Sequence, residues 1–434
     1  MALGGGTFLV QNKVLPGAYI NFVSLANASA TLSDRGIATM PLELDWGIEN
    51  EVFEVTNEDF QKQSLTIFGY DYTNEKLKGL RDLFKNIKTL YAYRLNGNGE
   101  KATNKYATAK HAGTRGNDLK IVIKANVDNP SNFDVQTVLG TEVVDLQTVT
   151  AAEKLVDNDW VKFKKEKLEL TASLPLEGGT NSDVTGTQHQ KYLDKIEAFA
   201  FNTIGVVITD GVTKSLYHNF CKRMRDEVGA KFQCVLYNQD ADYMGTINVK
   251  NKVTDEGWSE ASLVYWVTGI SAGCDVNKSN LNKKYDGEFT VDVDYTQKQL
   301  ENAIKHGEFT LHQVGENIRV LEDINSMVTT TDTMGDIFKD NQTIRVIDQI
   351  ANDIAVLFNT KYLGVVPNDK AGRTSLWADI VKHHQLLQDI RAIENFKDED
   401  ITVSQGDTKK AVVVDDLITV VNAMARLYMT VTVG

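Results

Sequence analysis

Proline is scarce, with five in 434 residues. Together with 42% hydrophobic and 24% charged residues, that argues against long disordered linkers and for a chain folded along its length. Cysteine is scarcer still: Cys221, Cys234 and Cys274 cannot all pair, and none stands in a C-x-x-C spacing. Buried thiols of a reducing compartment are expected instead of a disulfide framework. Basic residues are in deficit, 46 against 59 acidic ones, for a formal net charge of -13. Nucleic acid is therefore not an expected partner, because phosphate binding needs a surplus of cations on one face. No run approaches the ~20 apolar residues of a membrane-spanning helix. The opening Met-Ala-Leu-Gly-Gly-Gly lacks the basic and apolar regions of a signal peptide, so the expectation is assembly in the cytoplasm, no membrane insertion, and no secretion.

Recognisable chemistry is missing as well. There is no Walker A motif and no G-x-G-x-x-G at a strand-to-helix junction, so nothing cradles a phosphate. Gly269-Ile270-Ser271-Ala272-Gly273 matches the G-x-S-x-G elbow of serine hydrolases and makes Ser271 the one candidate nucleophile. An elbow needs a strand before the serine and a helix after it. Here Ala261, Val264, Val267 and Ile270 repeat at helical spacing upstream and polar loop follows, which makes the two glycines close-packing positions and a helix stop. Asp292 and Asp294 open like a calcium loop, but Gln297 and Ala303 occupy the positions of the turn glycine and the bidentate carboxylate. His383 and His384 are adjacent on a helix and point in different directions, as helix-face residues rather than metal ligands. Asp210 reads as a helix N-cap. No catalytic residue, cofactor or metal is expected.

What the chain does have is organisation, and two unusual ends. Its length suggests about three domains. Helical spacing from Asn74 to Ile87 leads to a strand from Leu90 to Leu95. Short alternating runs follow at Leu119 to Lys124, Phe133 to Val138, Thr141 to Leu146 and Leu168 to Ala172, the pattern of an all-β domain. After the polar loop 177–182, strands Ile204 to Thr209 and Phe232 to Tyr237 flank a helix striped by Leu216, Phe220, Met224 and Val228, a βαβ unit with a parallel sheet. Phe289 to Val293 reads as a strand, Gln297 to His306 as a helix, and Phe309 to Val314 with Ile318 to Ile324 as a hairpin around Gly315-Glu316-Asn317. Two long helices carry the stripes Ile344, Ile347, Ile350, Ile354, Leu357 and Leu376, Ile380, Leu387, Ile390. A hairpin pairs Ile401 to Ser404 with Ala411 to Val414.

The last residues alternate, with Leu427, Met429, Val431 and Val433 on one face of a strand that has nothing after it to pair with. Near the start Ala18, Ile20 and Phe22 alternate with Tyr19 in the same way. Two readings remain open: the ends pair with other copies of the chain, or they close the edge of their own sheet.

Several segments resemble contractile tail sheath proteins of bacteriophages, notably those of defective Bacillus-type prophages and R-type bacteriocins. They are Leu15-Pro16-Gly17-Ala18-Tyr19-Ile20, residues 112–119 (AGTRGNDL), Ser271-Ala272-Gly273 with Asn277-Lys278-Ser279-Asn280, residues 322–326, residues 345–354, Tyr362-Leu363-Gly364 and Ala423 to Val431. The resemblance implies an α+β multidomain fold: a strand arm over 1–23, a small α/β domain over 24–100, a β-sandwich-like module over 101–180 and a subtilisin-like α/β domain without a protease triad over 181–330. A tube-facing α+β domain over 331–422 and a second strand arm over 423–434 complete it. It further implies six-fold rings stacked helically around an inner tube, with a baseplate and a tail terminator as partners and the arms shared between neighbouring subunits. Gly4 to Gly6 and Asn422 to Ala425 would be the hinges. A polar helix face carrying Lys382, Asp389, Arg391 and Glu394 is the expected tube contact, with an ordinary solvated face as the alternative.

Overall fold

A computed structural model describes residues 32–433. They form two compact units. The first unit comprises Thr39–Arg81 and Lys88–Ile196. Its elements begin with β1 (Ile37–Leu42), β2 (Val52–Thr56), α1 (Asn57–Phe68), α2 (Lys78–Phe84) and β3 (Thr89–Arg94). Thr56 and Asp59 build a reciprocal capping box that starts α1, and Gly69 at φ 79° stops it. β2 and β3 pair antiparallel from Val52↔Tyr93 to Thr56↔Thr89.

Six short strands follow: β4 (Ala107–Ala109), β5 (Leu119–Ala125), β6 (Phe133–Leu139), β7 (Glu142–Val149), β8 (Val161–Phe163) and β9 (Thr171–Pro175). They make an antiparallel sheet in the order β7-β6-β5-β9 and a separate β4-β8 pair. The inward positions of β5, Leu119, Ile121 and Ile123, meet Val135, Trp160 and Leu176 in one core. α3 (Gly186–Ile196) ends the unit, burying Tyr192, Leu193 and Ile196. The AGTRGNDL segment is a joint within it. A side chain on Gly113 would sit 2.0 Å from the Asp45 carbonyl, and Asn117 exchanges two 2.8 Å hydrogen bonds with the backbone of Gly179. Burial penalises the Asp45 carboxylate, yet donors from Lys76, Tyr70 and Asn181 hold its pKa well below the usual range.

The second unit contains the described residues up to Ala38, Asp82–Ile87 and the chain from Glu197 onward. The expected βαβ unit is present: β10 (Thr203–Gly205), α4 (Gly211–Arg223) and β11 (Gln233–Tyr237), with β10 and β11 parallel. β12 (Thr246–Val249) and β13 (Glu308–Phe309) extend the parallel layer. Asp210 caps α4 by accepting from Thr213 N at 2.8 Å. Between β12 and β13 run α5 (Leu263–Gly273) and α6 (Gln297–Lys305). α5 is buried nearly all round, from Leu263 to Ala272, the mark of a helix in the centre of a core.

Several sequence expectations shift here. β10 is shorter than Ile204 to Thr209, and Val228 is exposed because α4 gives way at Met224 to a wider π-turn. Phe289 to Val293 forms no ladder, only the bridge Val253↔Val291. Its first two backbone donors are taken by side chains, Phe289 N by the Tyr285 hydroxyl and Thr290 N by Asp255, and Asp292 N bonds Lys252 O at 2.9 Å. Phe309 belongs to the parallel layer, so the hairpin is β14 (Leu311–Val314) with β15 (Asn317–Val320) around Gly315 at φ 58°.

Asp82 is fully buried and accepts from Glu288 N at 2.8 Å and from the Tyr285 hydroxyl at 3.2 Å. Burial outweighs these donors and nearby Lys85, and its pKa is raised to about 6. The folded state then holds this proton more tightly than the unfolded chain does. The resulting stability is full below the unfolded pKa, near pH 4, and is lost as pH rises through about 6. Asp82→Asn removes that slope. Between pH 4 and 7 the wild-type-minus-variant unfolding free energy, read by urea denaturation, should fall by roughly 2–3 kcal/mol.

The unit ends with α7 (Asn341–Leu357), α8 (Lys370–Asp389), β16 (Ile393–Glu394), β17 (Ile401–Gln405), β18 (Val412–Asp416) and β19 (Thr419–Val420). Leu376, Ile380, Val381 and Leu387 of α8 join Val346, Leu357 and Ile401 in a core of their own. The apolar stripe foreseen on α7 is only partly covered at Ile347, Ile350 and Ile354, whereas Arg345, Asp348, Gln349 and Asp353 are buried. The more deeply buried face of α7 is polar.

Candidate assembly strand and its anchorage

The site centres on the C-terminal segment and the helix that holds it. β19 pairs antiparallel with β16, Ile393↔Val420 and Glu394↔Thr419, and Val421 N continues the ladder to Ala392 O at 3.0 Å. Beyond that point Gln342 of α7 does what a neighbouring strand would do. Its Nε2 donates to Val421 O at 3.0 Å and its Oε1 accepts from Ala423 N at 2.9 Å. Thr343 and Asn422 add a side-chain bond at 3.1 Å. Two of the residues foreseen as a hinge, Asn422 and Ala423, are therefore anchored to α7.

From Met424 on the chain leaves the body. Met424 is 100% exposed, Leu427 85%, Met429 74%, Val431 69% and Val433 89%. No strand is assigned from 421 to 433. Arg426 comes no closer than 4.0 Å to Glu322. The segment is apolar on alternate residues, held at its root and solvated along its length. Its counterpart at the other end, Ala18, Tyr19, Ile20 and Phe22, lies outside the described residues.

The same domain offers an open sheet edge. β17 and β18 form a two-stranded hairpin, Ile401↔Asp416 to Gln405↔Val412. β17 rests on α8, where Trp377 Nε1 donates to Ile401 O at 3.0 Å. β18 has no other strand beside it among the described residues, and Val413 and Val414 are exposed. Two strands alone are marginal, so an added third is stabilising. All four residues of the expected polar helix face are exposed, but only Lys382 and Asp389 lie on α8: Arg391 is in the turn after it and Glu394 in β16.

α7 is also fixed to the rest of its unit through buried ion pairs. Arg225 binds Asp348 with both terminal nitrogens, at 2.6 and 2.7 Å. Arg345 donates to Asp323 at 2.6 Å, and Asp323 accepts further from Asn280 N at 2.8 Å and Asn341 at 3.1 Å. Burial alone would raise the Asp323 pKa, but Arg345 and those donors hold it below its ordinary value. The segments 277–280, 322–326 and 345–354 thus meet at one carboxylate. They are structural joints, which spacing along the chain did not disclose.

Among the described residues no catalytic group assembles around Ser271. Ser271 lies inside α5, 1% exposed, with its hydroxyl unpartnered. A side chain on Gly269 would meet Leu83 O at 2.7 Å and one on Gly273 would meet Asn86 O at 1.7 Å, so both glycines are close-packing positions. Ser33, Asp353 and His383 do line up, with Ser33 Oγ at 2.5 Å and His383 Nε2 at 3.0 Å from Asp353. The carboxylate sits in the middle, so the imidazole does not reach the hydroxyl and the order of a Ser-His-Asp triad is not met. His384 Nδ1 bonds its own helix at Ile380 O, 3.0 Å. Among the described residues no three His, Cys, Asp or Glu side chains are placed to hold a metal, and no helix is long and apolar enough to cross a membrane.

Buried polar joints and a solvated apolar tail define a structural subunit that joins others. The chain belongs to the phage tail sheath family, whose members are structural proteins of the tail particle and not enzymes. In chain order it matches the tail sheath protein Gp18 domain III N-terminal region over 35–95, the phage tail sheath beta-sandwich domain over 97–181, the central domain over 182–326 and the C-terminal domain over 333–434. It is 31% identical over 470 residues to the phage-like element PBSX protein XkdK of Bacillus subtilis (strain 168), covering 100% of both chains. The crystal structure of a sheath tail protein from Desulfitobacterium hafniense superposes with a TM-score of 0.83 at 36% identity, over 94% of this chain and 98% of that one. The contracted helical sheath of the anti-feeding prophage shares the fold, with a TM-score of 0.56 at 12% identity over 97% and 99% of the two chains.

Proposed function

We propose that this subunit polymerises around an inner tube by lending its terminal strands to neighbours, and that the polymer contracts to drive the tube through a target envelope. The observation that carries this reading is the tail from Met424 to Val433, apolar, exposed and gripped only at its root by Gln342 and Thr343. Seven residues in extended form span roughly 23 Å, enough to line the free edge of β18 on another copy. The N-terminal arm, Ala18 to Phe22, plays the matching part. Six-fold rings stack helically, with a baseplate at one end and a terminator at the other; solved relatives of the same fold include a contracted helical sheath and a baseplate. Assembly takes place in the cytoplasm.

The parallel layer β10 to β13 with α4 and α5 is consistent with a subtilisin-like α/β domain that has lost any triad. Domain limits near 100, 180, 330 and 422 follow the changes of pattern along the chain. Lys382, Asp389, Arg391 and Glu394 face the tube. Contraction needs no nucleotide: the extended packing is held by tube and baseplate, and the contracted one buries more surface between bodies. An extra ~400 Å² of apolar burial per subunit contributes roughly 10 kcal/mol before entropy and polar desolvation are subtracted.

Single cysteines test the exchange. A cysteine at Val431 combined with one of a series along 412–416 should give disulfide-linked ladders in assembled particles and none in monomer. Particles that oxidise without ladders at any position of the series contradict it.

A further inference from the structure

Residues 33–37 carry the chain into the body alongside α7, and there cationic groups outnumber free carboxylates. Arg345 uses Nη2 for Asp323 and for Lys278 O, at 2.6 and 2.9 Å. Its Nε and Nη1 have no partner, although the residue is 1% exposed. Arg35 donates to two carbonyls, Cys274 O at 2.8 Å and Ser271 O at 3.1 Å, and has no carboxylate at ion-pair distance among the described residues. Lys231 adds a third cation, spending its ammonium on Arg225 O. Most nearby carboxylates are already engaged, Asp348 by Arg225, Asp323 by Arg345, Asp353 by Ser33, Gln349 and His383, and Asp340 by the first turn of α7, while Asp275 is exposed to solvent. A cavity of about 20 Å³ lies among Arg35, Asn202, Lys231, Arg345, Asp348 and Gln349.

We propose that this cavity is a binding site for a monatomic anion, chloride in ordinary solution, held by the unpartnered Nε–H and Nη1–H of Arg345 and by the Arg35 guanidinium. The volume admits one water-sized species and excludes phosphate, sulfate or a carboxylate. Three cationic side chains line the wall against one carboxylate, itself paired with Arg225, which favours an anion over a neutral water. Burial and the charge of Arg345 push the Arg35 pKa down to about 10, a strain that an anion between them relieves. Bound there, the ion ties the lead-in of the N-terminal segment to α7. That helix also grips the root of the C-terminal tail.

Crystals of the full-length subunit soaked in bromide should show an anomalous peak in contact with Arg35 and Arg345. In solution, Tm should rise by about 2 °C for each tenfold increase in chloride or bromide above the dissociation constant, at ionic strength held constant with gluconate. Arg35→Gln, which keeps a donor but removes the charge, should lose the halide dependence, while Lys298→Gln on the exposed face of α6 should retain it. A wild-type cavity with no anomalous signal, or a Tm that follows ionic strength whatever the anion, overturns the proposal even if Arg35→Gln does not fold.

Discussion

A subunit truncated after Ala423 should remain folded and monomeric, and should form no detectable polymer where the full chain forms tubes. The described residues among those removed, 424–433, are exposed and make no ladder with the body, so monomer stability should change by less than ~0.5 kcal/mol in urea denaturation. On the proposed strand exchange the loss falls entirely on assembly, because each arm would supply a strand's worth of backbone bonds and apolar contacts to a neighbour, and in a lattice such links are multivalent. Sedimentation and negative-stain imaging of the two proteins side by side check both halves. A truncated chain that fails to fold would instead make the tail part of its own core.

The second large effect concerns α7. Arg345→Ala leaves the Asp323 carboxylate fully buried without its counter-charge, and the expected loss is about 3–5 kcal/mol at neutral pH. The sign of the pH response also inverts. In the wild-type protein Asp323 is held below its unfolded pKa, so its contribution is present above that pKa and is lost as pH falls. In the variant, burial without Arg345 raises the carboxyl, so acidification towards pH 4 should recover part of the deficit. Urea denaturation across that range checks it. Replacing both partners by apolar residues of similar volume should cost less than the single change, since no unpaired charge remains.

The difference between what the chain announced and what it hid has physical causes. Strands β5 and β6, helices α4, α6 and α8 and the 401–414 hairpin follow local periodicity, and each was legible to within a few residues. The helical nature of 263–273 and the cap at Asp210 followed from local rules too. β4 and β8, three residues each, are too short to leave a pattern. Phe289 to Val293 alternates like a strand, but Tyr285 and Asp255 claim its first two N–H groups from elsewhere in the fold. The polar buried face of α7 was the largest omission. A rule that sends apolar residues inward cannot anticipate Arg345, Asp348 and Asp353, whose partners Asp323, Arg225 and His383 stand 22, 123 and 30 residues away in sequence. The C-terminal segment reads as an alternating strand in the sequence and is solvated in the monomer, where no strand is assigned, and no sequence pattern revealed Gln342 as the residue that grips its root.

The most direct test of the whole account is a cryo-electron-microscopic reconstruction of the assembled polymer. Residues 427–433 should be traced as a strand hydrogen-bonded along β18 of a neighbouring subunit, with the tail leaving its own body at Met424. Density that follows the tail back onto the sheet of its parent subunit, with no intermolecular ladder, would contradict it.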